Sequence, residues 1–591
     1  MKSRTSSFNT ALRKNITRFA PCWGLYTIGL VMILLLMTQD SDYWFANNLA
    51  EWIFIMPIIN LGYALLTAQL LFGDLFQSRM CNALHAMPLR REGWYAASVT
   101  AGLLFSLIPT LITSLIALPI CAAGEVINGW QIPLYWLLGS NLSYICFFGI
   151  AVLCIQLTGN RFAMAVVYGI LNFGAVILYW LVDTLYTPMV YGVRTWAEPF
   201  FKLTPVVHLA EEEYLEVTRH YVNDIVTHSD FTVSPVWGRL FVWAGVGLLL
   251  MGLALLLYRK RKLECAGDFM AFRKMEPVFL IIYTLIMGTC FQFFASNIIG
   301  GIGGIAYLFV GLAVGWFTGR MLLKRTIRVF QWKAIGGCAL VMVLLGISLV
   351  LTAMDVFGIA SWMPKVSEVR TAYVTLGYHY TGNIPNGAIR LTDPADIEKV
   401  LHAHEIARTP QEDPRVHPIP VEAYDGTVYY EYADTQFTFT LTYQLKNGQV
   451  VNRYYIGYAD TEIGEILTPW FSSIEVVLGV SEEELDEIAD SVVETYIDGI
   501  ENPLTKEQIR SLLDAIAADC RAGHMAQRWS FHTAECGEQH FTVDFSYTTS
   551  DRLHYWLGVS VYDCCENVRQ WMDDNDMWDI LEENSANTKF R

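Results

Sequence analysis

Four cysteines and four histidines lie close together near the C-terminus: Cys520, Cys536, Cys564 and Cys565, with His524, His532, His540 and His554. These residue types hold zinc or form disulfides. Their spacing fits neither C-x-x-C nor H-E-x-x-H, and the scatter argues against a metal site. Four cysteines allow three pairings, and the neighbours Cys564 and Cys565 cannot bridge one another without strain. The acidic run Asp573, Asp574, Asp576 and Asp579 reads as a solvated terminal face. No G-x-x-x-x-G-K-[ST] phosphate loop occurs; the nearest run, Gly315-Trp-Phe-Thr-Gly-Arg, lies in an apolar stretch and lacks the lysine that reaches phosphates. No nucleophile and base stand at informative spacing. The sequence therefore predicts no catalytic residue, no metal ligand, no cofactor site and no enzyme activity.

A second segment has residue types suited to mechanical work. Gln77–Glu92 is short, basic and amphipathic, with Met80, Leu84 and Met87 near one face and Arg79, Arg90 and Arg91 around it. Pro88 should end its helix, because proline disfavours helical geometry in the residue before it. Such an element can receive motion from a separate protein. It can equally be an ordinary loop whose arginines only set orientation.

The elements that hold these segments are apolar runs at about 19–38, 52–73, 95–121, 133–157, 162–184, 237–258, 277–295, 302–319 and 333–353. A helix needs about 20 apolar residues to cross about 30 Å of hydrocarbon, and most of these runs reach that length. The seventh and eighth, joined at Gly300, Gly301, Gly303 and Gly304, are the weakest. If both failed to cross, the sidedness of the rest would be unchanged. The leader and the second, fourth, sixth and eighth loops hold twenty Lys and Arg, whereas the alternate loops hold only Arg194, Lys202, Arg219 and Arg239. By the positive-inside rule the N-terminus is cytoplasmic and the tail after the ninth run is outside. The first run is too long for a cleaved signal peptide, and no small-residue cleavage site follows it.

Charge divides the chain the same way. The net charge of −17 splits into +6 for residues 1–358 and −23 for 359–591, which marks two environments. The basic loops suit anionic membrane lipid, and the acidic tail is a poor partner for nucleic acid. The predicted fold is an all-α polytopic bundle of about nine transmembrane helices, N-in and C-out, followed by an α+β extracytoplasmic domain. Its parts are an amphipathic leader at 1–18, a six-span core at 19–260, three more spans at 261–358 and the external domain at 359–591.

Inside the spans, Asn60, Gln69, Asn141, Gln156 and Asn172 either bond across helices or line a wet path. Asp183, near an outer end, is almost the only carboxylate, which argues against a proton-coupled carrier. Gly311, Gly315 and Gly319 form a small-residue stripe for helix packing within the subunit. Pro109 and Pro119 should kink the third span and free carbonyls that a neighbour must satisfy. Phe8, Leu12, Ile16 and Phe19 recur at helical spacing, as in an interfacial helix or a frayed basic leader. The long segment between spans five and six, with Glu211-Glu-Glu-Tyr, holds short re-entrant or lid helices above a translocation path or is a solvated connector.

In the tail, Lys446-Asn447-Gly448-Gln449 predicts a hairpin between Phe437–Leu445 and Val450–Tyr458. Helices are predicted after Thr392 or Asp393 and within "LTKEQIRSLLDAIAADCRA". Helix followed by strand pair occurs twice, from an internal duplication or by chance.

The stretch "LFGDLFQSRMCNALHAMPLRREGWYAASVTAGLLFSLIP" resembles the segment after the second span of ABC-2-type permeases, the membrane subunits of one class of ATP-binding cassette transporters. The matching elements are Ser78, then Leu84, Pro88, Leu89 and Arg91, then Trp94 or Tyr95. The resemblance covers about residues 1–260, and the basic leader and the long fifth loop share it. It implies that Gln77–Glu92 is a coupling helix docking on an ATPase subunit, with Ser78, Arg79, Leu84, Pro88, Arg90 and Arg91 on the docking surface. It further implies that ATP is bound by that partner, that a second permease copy or a related permease completes the complex, and that the complex exports a drug, peptide or envelope component. Three extra spans and the tail depart from the core; this layout resembles permeases of Gram-positive bacteria with an uncharacterised external domain. The rival expectation is a non-transporting receptor or assembly factor whose tail senses an envelope ligand.

Overall fold

A computed structural model describes the chain except residues 1, 39–41, 87–89, 125, 194–201, 212, 223–224, 300–303, 377–387, 410–417, 423–427, 433–435, 459–460, 478–484, 498–499, 502–503, 526–538, 549–553, 576 and 578–591. It forms two compact units: residues 1–185 with 197–348, and residues 186–196 with 349–591.

The first unit is helical. Its elements are α1 (Lys2–Arg18), α2 (Ala20–Met37), α3 (Asp42–Leu71), α4 (Ser78–Ala86), α5 (Arg91–Ala123), α6 (Ile132–Leu157), α7 (Arg161–Leu185), the short α8 (Pro205–Leu209), α9 (Trp237–Lys260), α10 (Glu276–Ile299), α11 (Gly304–Lys324) and α12 (Trp332–Ala353). Among the described residues, nine of these helices are long and apolar enough to cross a membrane, as expected of a multi-pass membrane protein. The second run starts ten residues earlier than its hydropathy suggests, because Asp42–Glu51 continues the same helix. Between α7 and α9 the described residues hold the short helix α8 and an antiparallel hairpin, β1 (Leu215–Val222) and β2 (Ile225–Val233). The glycine turn before α11 lies outside the described residues.

Helix α6 is central: 78% of its apolar window is buried, against 17–44% for the other eight. Glycines set the closest crossings. A Cβ on Gly149 would stand 2.3 Å from the Gly247 carbonyl oxygen, and one on Gly247 would stand 2.4 Å from that of Ile145. Here α6 and α9 meet backbone to backbone, which only residues lacking a side chain permit. The stripe of α11 packs on α10 in the same way. Added Cβ atoms at Gly311, Gly315 and Gly319 would meet Phe291, Met287 and Leu280 at 2.6–2.8 Å.

Several buried polar side chains bond between helices. Asn60 Nδ2 donates to the Ser140 carbonyl and to Ser143 Oγ, both at 2.8 Å, and Tyr26 donates to Asn60 Oδ1 at 3.2 Å. Asn141 bridges Ser106 and Thr110 of α5. Gln69 reaches the Arg161 carbonyl at 3.4 Å. Pro109 lies inside the continuous helix α5 and cannot donate to the carbonyl of Phe105, one turn earlier; the Tyr63 hydroxyl of α3 donates to that oxygen at 2.9 Å instead. Gln156 differs. Both its amide atoms are buried without a partner among the described residues.

The second unit contains two four-stranded antiparallel sheets of the same topology. The first comprises β3 (Val369–Leu376), β4 (Ile389–Leu391), β7 (Gln436–Leu445) and β8 (Val450–Tyr458), in the order β4-β3-β7-β8. A small separate hairpin, β5 (Pro418–Glu422) and β6 (Val428–Tyr432), precedes β7. The second sheet comprises β9 (Val492–Ile497), β10 (Ile500–Glu501), β11 (Gln539–Thr548) and β12 (His554–Tyr562), in the order β10-β9-β11-β12. Each has a helix between its second and third strands, α13 (Pro394–Ala407) or α17 (Lys506–Ala522). Each has another after the fourth, α14 (Glu462–Phe471) or α18 (Glu566–Asp574). The short helices α15 (Ile474–Val477) and α16 (Leu485–Ser491) join the modules.

The correspondence extends to residues. One constant spacing separates Phe437 from Phe541, Thr438 from Thr542, Tyr443 from Tyr547 and Glu462 from Glu566, with no insertion between them. Aligned on their N-caps, Asp393 and Thr505, α13 and α17 bury the same positions: Ile397 and Ile509, Val400 and Leu512, Leu401 and Leu513, His404 and Ile516. Thr505 forms a capping box with Gln508, and Asp393 accepts from the Ala395 amide at 3.1 Å.

Residues 186–193 form a strap on the first module. The Gly192 carbonyl accepts the Tyr454 amide of edge strand β8 at 3.0 Å, and Tyr191 packs on Tyr455 at a ring separation of 5.6 Å. Gly192 has φ +79, and a Cβ there would stand 2.4–2.6 Å from the Tyr455 ring. Two penalties therefore oppose any side chain, one from backbone strain and one from collision. Gly192→Ala is expected to destabilise the strap by about 1–3 kcal/mol. Faster amide exchange at Tyr454, with α17 unchanged, is the readout; unchanged exchange at Tyr454 would refute the contact.

Candidate functional site

The basic segments meet at one end of the helical unit. Arg18, ending α1, pairs with Asp74 at 3.5 Å. The turn Gly73–Phe76 then leads into α4. Gly73 allows the Arg161 guanidinium to pass, since a Cβ would lie 3.1 Å from its Nη2. Thr158 and Met270 form a β-bridge, and the Gly267 amide donates to the Gly159 carbonyl at 2.6 Å. A Cβ on Gly159 would come within 2.2 Å of the Cys265 carbonyl oxygen, so the loop after α6 and the loop after α9 are in backbone contact. The Arg325 guanidinium, after α11, lies 3.8 Å from where a Gly267 Cβ would be. Thus the leader and all four Lys- and Arg-rich loops lie at the same end.

Helix α4 is held in this cluster from one side. Cys81 is buried, whereas Gln77, Ser78, Arg79, Met80, Asn82 and Ala83 are exposed. The Ser78 hydroxyl donates to the Ala266 carbonyl at 3.4 Å. The main support is Arg261, the residue after α9. It is 6% exposed and donates to the carbonyls of Ile155, at the end of α6, and Leu75, at 3.5 Å, in the turn before α4. A guanidinium at the C-terminal end of α6 is favoured by the helix dipole and satisfies carbonyls that have no helical donor. Burial pushes the Cys81 thiol up, against the opposing charge of Arg261, which makes it a packing residue rather than a nucleophile.

The other end of the loop is anchored by aromatics. Trp94 and Tyr95 are buried in the first turn of α5; Trp94 packs edge-on against Phe72 at 5.5 Å, and Tyr95 donates to the Met251 carbonyl at 2.6 Å. Arg90 is the exposed N-cap of α5, Arg91 is half-buried, and Glu92 pairs with Arg259 at 2.9 Å. That pair is half exposed and contributes at most about 1 kcal/mol. Leu84 belongs to α4, but its side chain, like Pro88 and Leu89, lies outside the described residues. Of the predicted surface, Ser78, Arg79 and Arg90 are therefore exposed. Arg261, Gly73 and Gly159, which hold that face, carried no sequence signal beyond their residue types.

Two other places offer residues that could hold a ligand. An apolar cavity of about 310 Å³ lies between α7 and α10, lined by Val176, Ile177, Trp180, Thr289, Cys290, Phe293 and Phe294. It can hold an acyl or aromatic group but offers little polar recognition, since Thr289 already donates to the Leu285 carbonyl at 2.9 Å. In the tail, Cys564 is disulfide-bonded while Cys520 and Cys565 are buried free thiols, and Cys536 lies outside the described residues. No group of three or more His, Cys, Asp or Glu able to hold a metal occurs among the described residues.

Comparison with known proteins finds no matching family model, no similar curated protein and no similar solved structure.

Proposed function

We propose that this chain is the permease subunit of an ATP-driven exporter, and that the exposed face of α4 is where a separate ATPase subunit docks. The observation that carries the reading is the mounting of α4. A short helix with Ser78, Arg79 and Met80 outward is tied through Arg261, Ala266 and Trp94 to the ends of α6, α9 and α5. A push on such an element is transmitted to several spans at once, whereas a freely moving loop would absorb it. ATP is bound by the partner, and a second permease copy or a relative provides the second docking face.

Sidedness supports the same reading. The end that gathers the basic loops faces the cytoplasm by the positive-inside rule. The C-terminal ends of α7 and α12 both lead into the second unit, and so belong on one side of the membrane. The Cys564 disulfide suits an oxidising exterior there. The apolar cavity between α7 and α10 favours an apolar or amphipathic substrate.

Affinity purification in mild detergent provides the test. An ATPase is expected to co-purify with the wild-type chain, and Leu84→Glu with Arg91→Glu is expected to release it while elution and thermal melting stay unchanged. A folded wild-type chain that brings no ATPase with it would refute the exporter reading. It would favour a receptor or assembly factor in which the paired tail modules sense an envelope ligand.

A further inference from the structure

At the same end of the bundle, the turn from α11 to α12 exposes its largest apolar side chains. Trp332 is 88% exposed, Ile327 78% and Phe330 63%, while Val329 between them is 1% exposed and anchors the turn. Backbone hydrogen bonds from Val329 to Ile327 and from Gln331 to Val329, both 2.9 Å, fix the turn's shape. Phe330 leans on Phe317 at a ring separation of 4.7 Å. Cations are interleaved with these side chains: Lys324, Arg325, Arg328 and Lys333 are all exposed. Among the described residues, no ion pair includes any of the four. One turn back on α11, Arg320 keeps its Nε buried without a hydrogen-bond partner among the described residues.

Water alone would be a poor neighbour for this surface, and the chain's path restricts what else can reach it. Both flanking helices are long and apolar enough to span, so residues 325–331 cannot leave the membrane interface. At that depth aromatic rings rest among headgroups, and Lys and Arg extend toward phosphates. We propose that this turn, with Arg320 behind it, is a binding site for anionic phospholipid. Ile327, Phe330 and Trp332 enter the boundary of the acyl chains, and Lys324, Arg328 and Lys333 hold the headgroup phosphate. Charge complementarity selects the lipid, because an unpaired group of four cations attracts anionic over zwitterionic headgroups. The site does not depend on transport.

The test uses the full-length protein, delipidated in mild detergent and titrated with phosphatidylglycerol or phosphatidylcholine, with bound lipid read by native mass spectrometry. Wild-type protein is expected to retain phosphatidylglycerol at concentrations at least about tenfold lower than phosphatidylcholine, and to lose that preference at high salt. Lys324→Gln with Arg328→Gln and Lys333→Gln should weaken phosphatidylglycerol retention by roughly a hundredfold and leave phosphatidylcholine unchanged. Phe330→Ser with Trp332→Ser should weaken both lipids. Equal retention of the two lipids by wild-type protein, or a preference that survives high salt, overturns the proposal without any variant. So does a folded triple variant that still discriminates. Displacement of the lipid by millimolar inorganic phosphate would make this a phosphate site and overturn it as well.

Discussion

Replacing Gly149 by leucine is expected to abolish folded protein. A Cβ alone at this position would stand 2.3 Å from the Gly247 carbonyl oxygen, and the obstructing atom is backbone, which cannot rotate away. The helices α6 and α9 would have to separate, and α6 is the most buried helix of the bundle. Overpacking a core against yielding side chains costs about 1–3 kcal/mol, and a backbone collision lies at or beyond the top of that range. A stability of about 5–15 kcal/mol leaves little margin for it. Gly149→Ala should already lower the melting temperature in detergent, and Gly247→Ala should do the same through Ile145. The control is on the same helix: Gly245 and Gly252 face open space, with nothing within 4 Å of an added Cβ. Alanine at either should be neutral or stabilise by up to about 1 kcal/mol, because it removes the backbone entropy cost of a helical glycine. A Gly149→Ala protein that melts with the wild type would mean that α6 and α9 are not in backbone contact.

Not every close crossing was readable in the sequence. Gly311, Gly315 and Gly319 repeat at the spacing that puts small residues on one helix face, and the stripe does pack on α10. Gly149 and Gly247 are single glycines on different helices, and nothing in their local sequence says that they meet. The same distinction runs through the candidate site. The helix Ser78–Ala86 was legible because amphipathic spacing and interspersed basic residues are local signals. In the sequence Arg261 is one more basic residue of the sixth loop, although its guanidinium ties two chain segments together. Tertiary roles of this kind leave no periodicity. The hairpin Leu215–Val233 did carry a signal, since "LEVTRHYV" and "IVTHSDFTV" are rich in β-branched residues. In the tail, "FTFTLTYQ" and "FTVDFSYT" made the repeated hairpin readable, whereas the strap at 186–193 became apparent only with the fold.

Acidification from pH 7 to pH 5 is expected to loosen the first tail module selectively, through His404. This side chain is fully buried on α13; the Tyr443 hydroxyl lies 3.0 Å from its Nδ1, and its Nε2 has no partner among the described residues. Burial lowers its pKa from the ordinary 6.5 to about 3, with the positive charges of Arg453 and Arg408 acting in the same direction. The unfolded chain takes up a proton near pH 6.5 and the folded module does not. Stability is therefore full above that value and falls as the pH drops toward 3. By pH 5 the loss is on the order of 2 kcal/mol, roughly a thirtyfold gain in the opening equilibrium. Hydrogen exchange of α13, β7 and β8 in the full-length protein, corrected for the intrinsic effect of pH, measures it. The second module supplies the comparison, because α17 has Ile516 where α13 has His404. His404→Leu should cost stability at pH 7 by leaving the Tyr443 hydroxyl without its partner, yet it should flatten the pH response of the first module. A response that survives the substitution would assign the titration to another group.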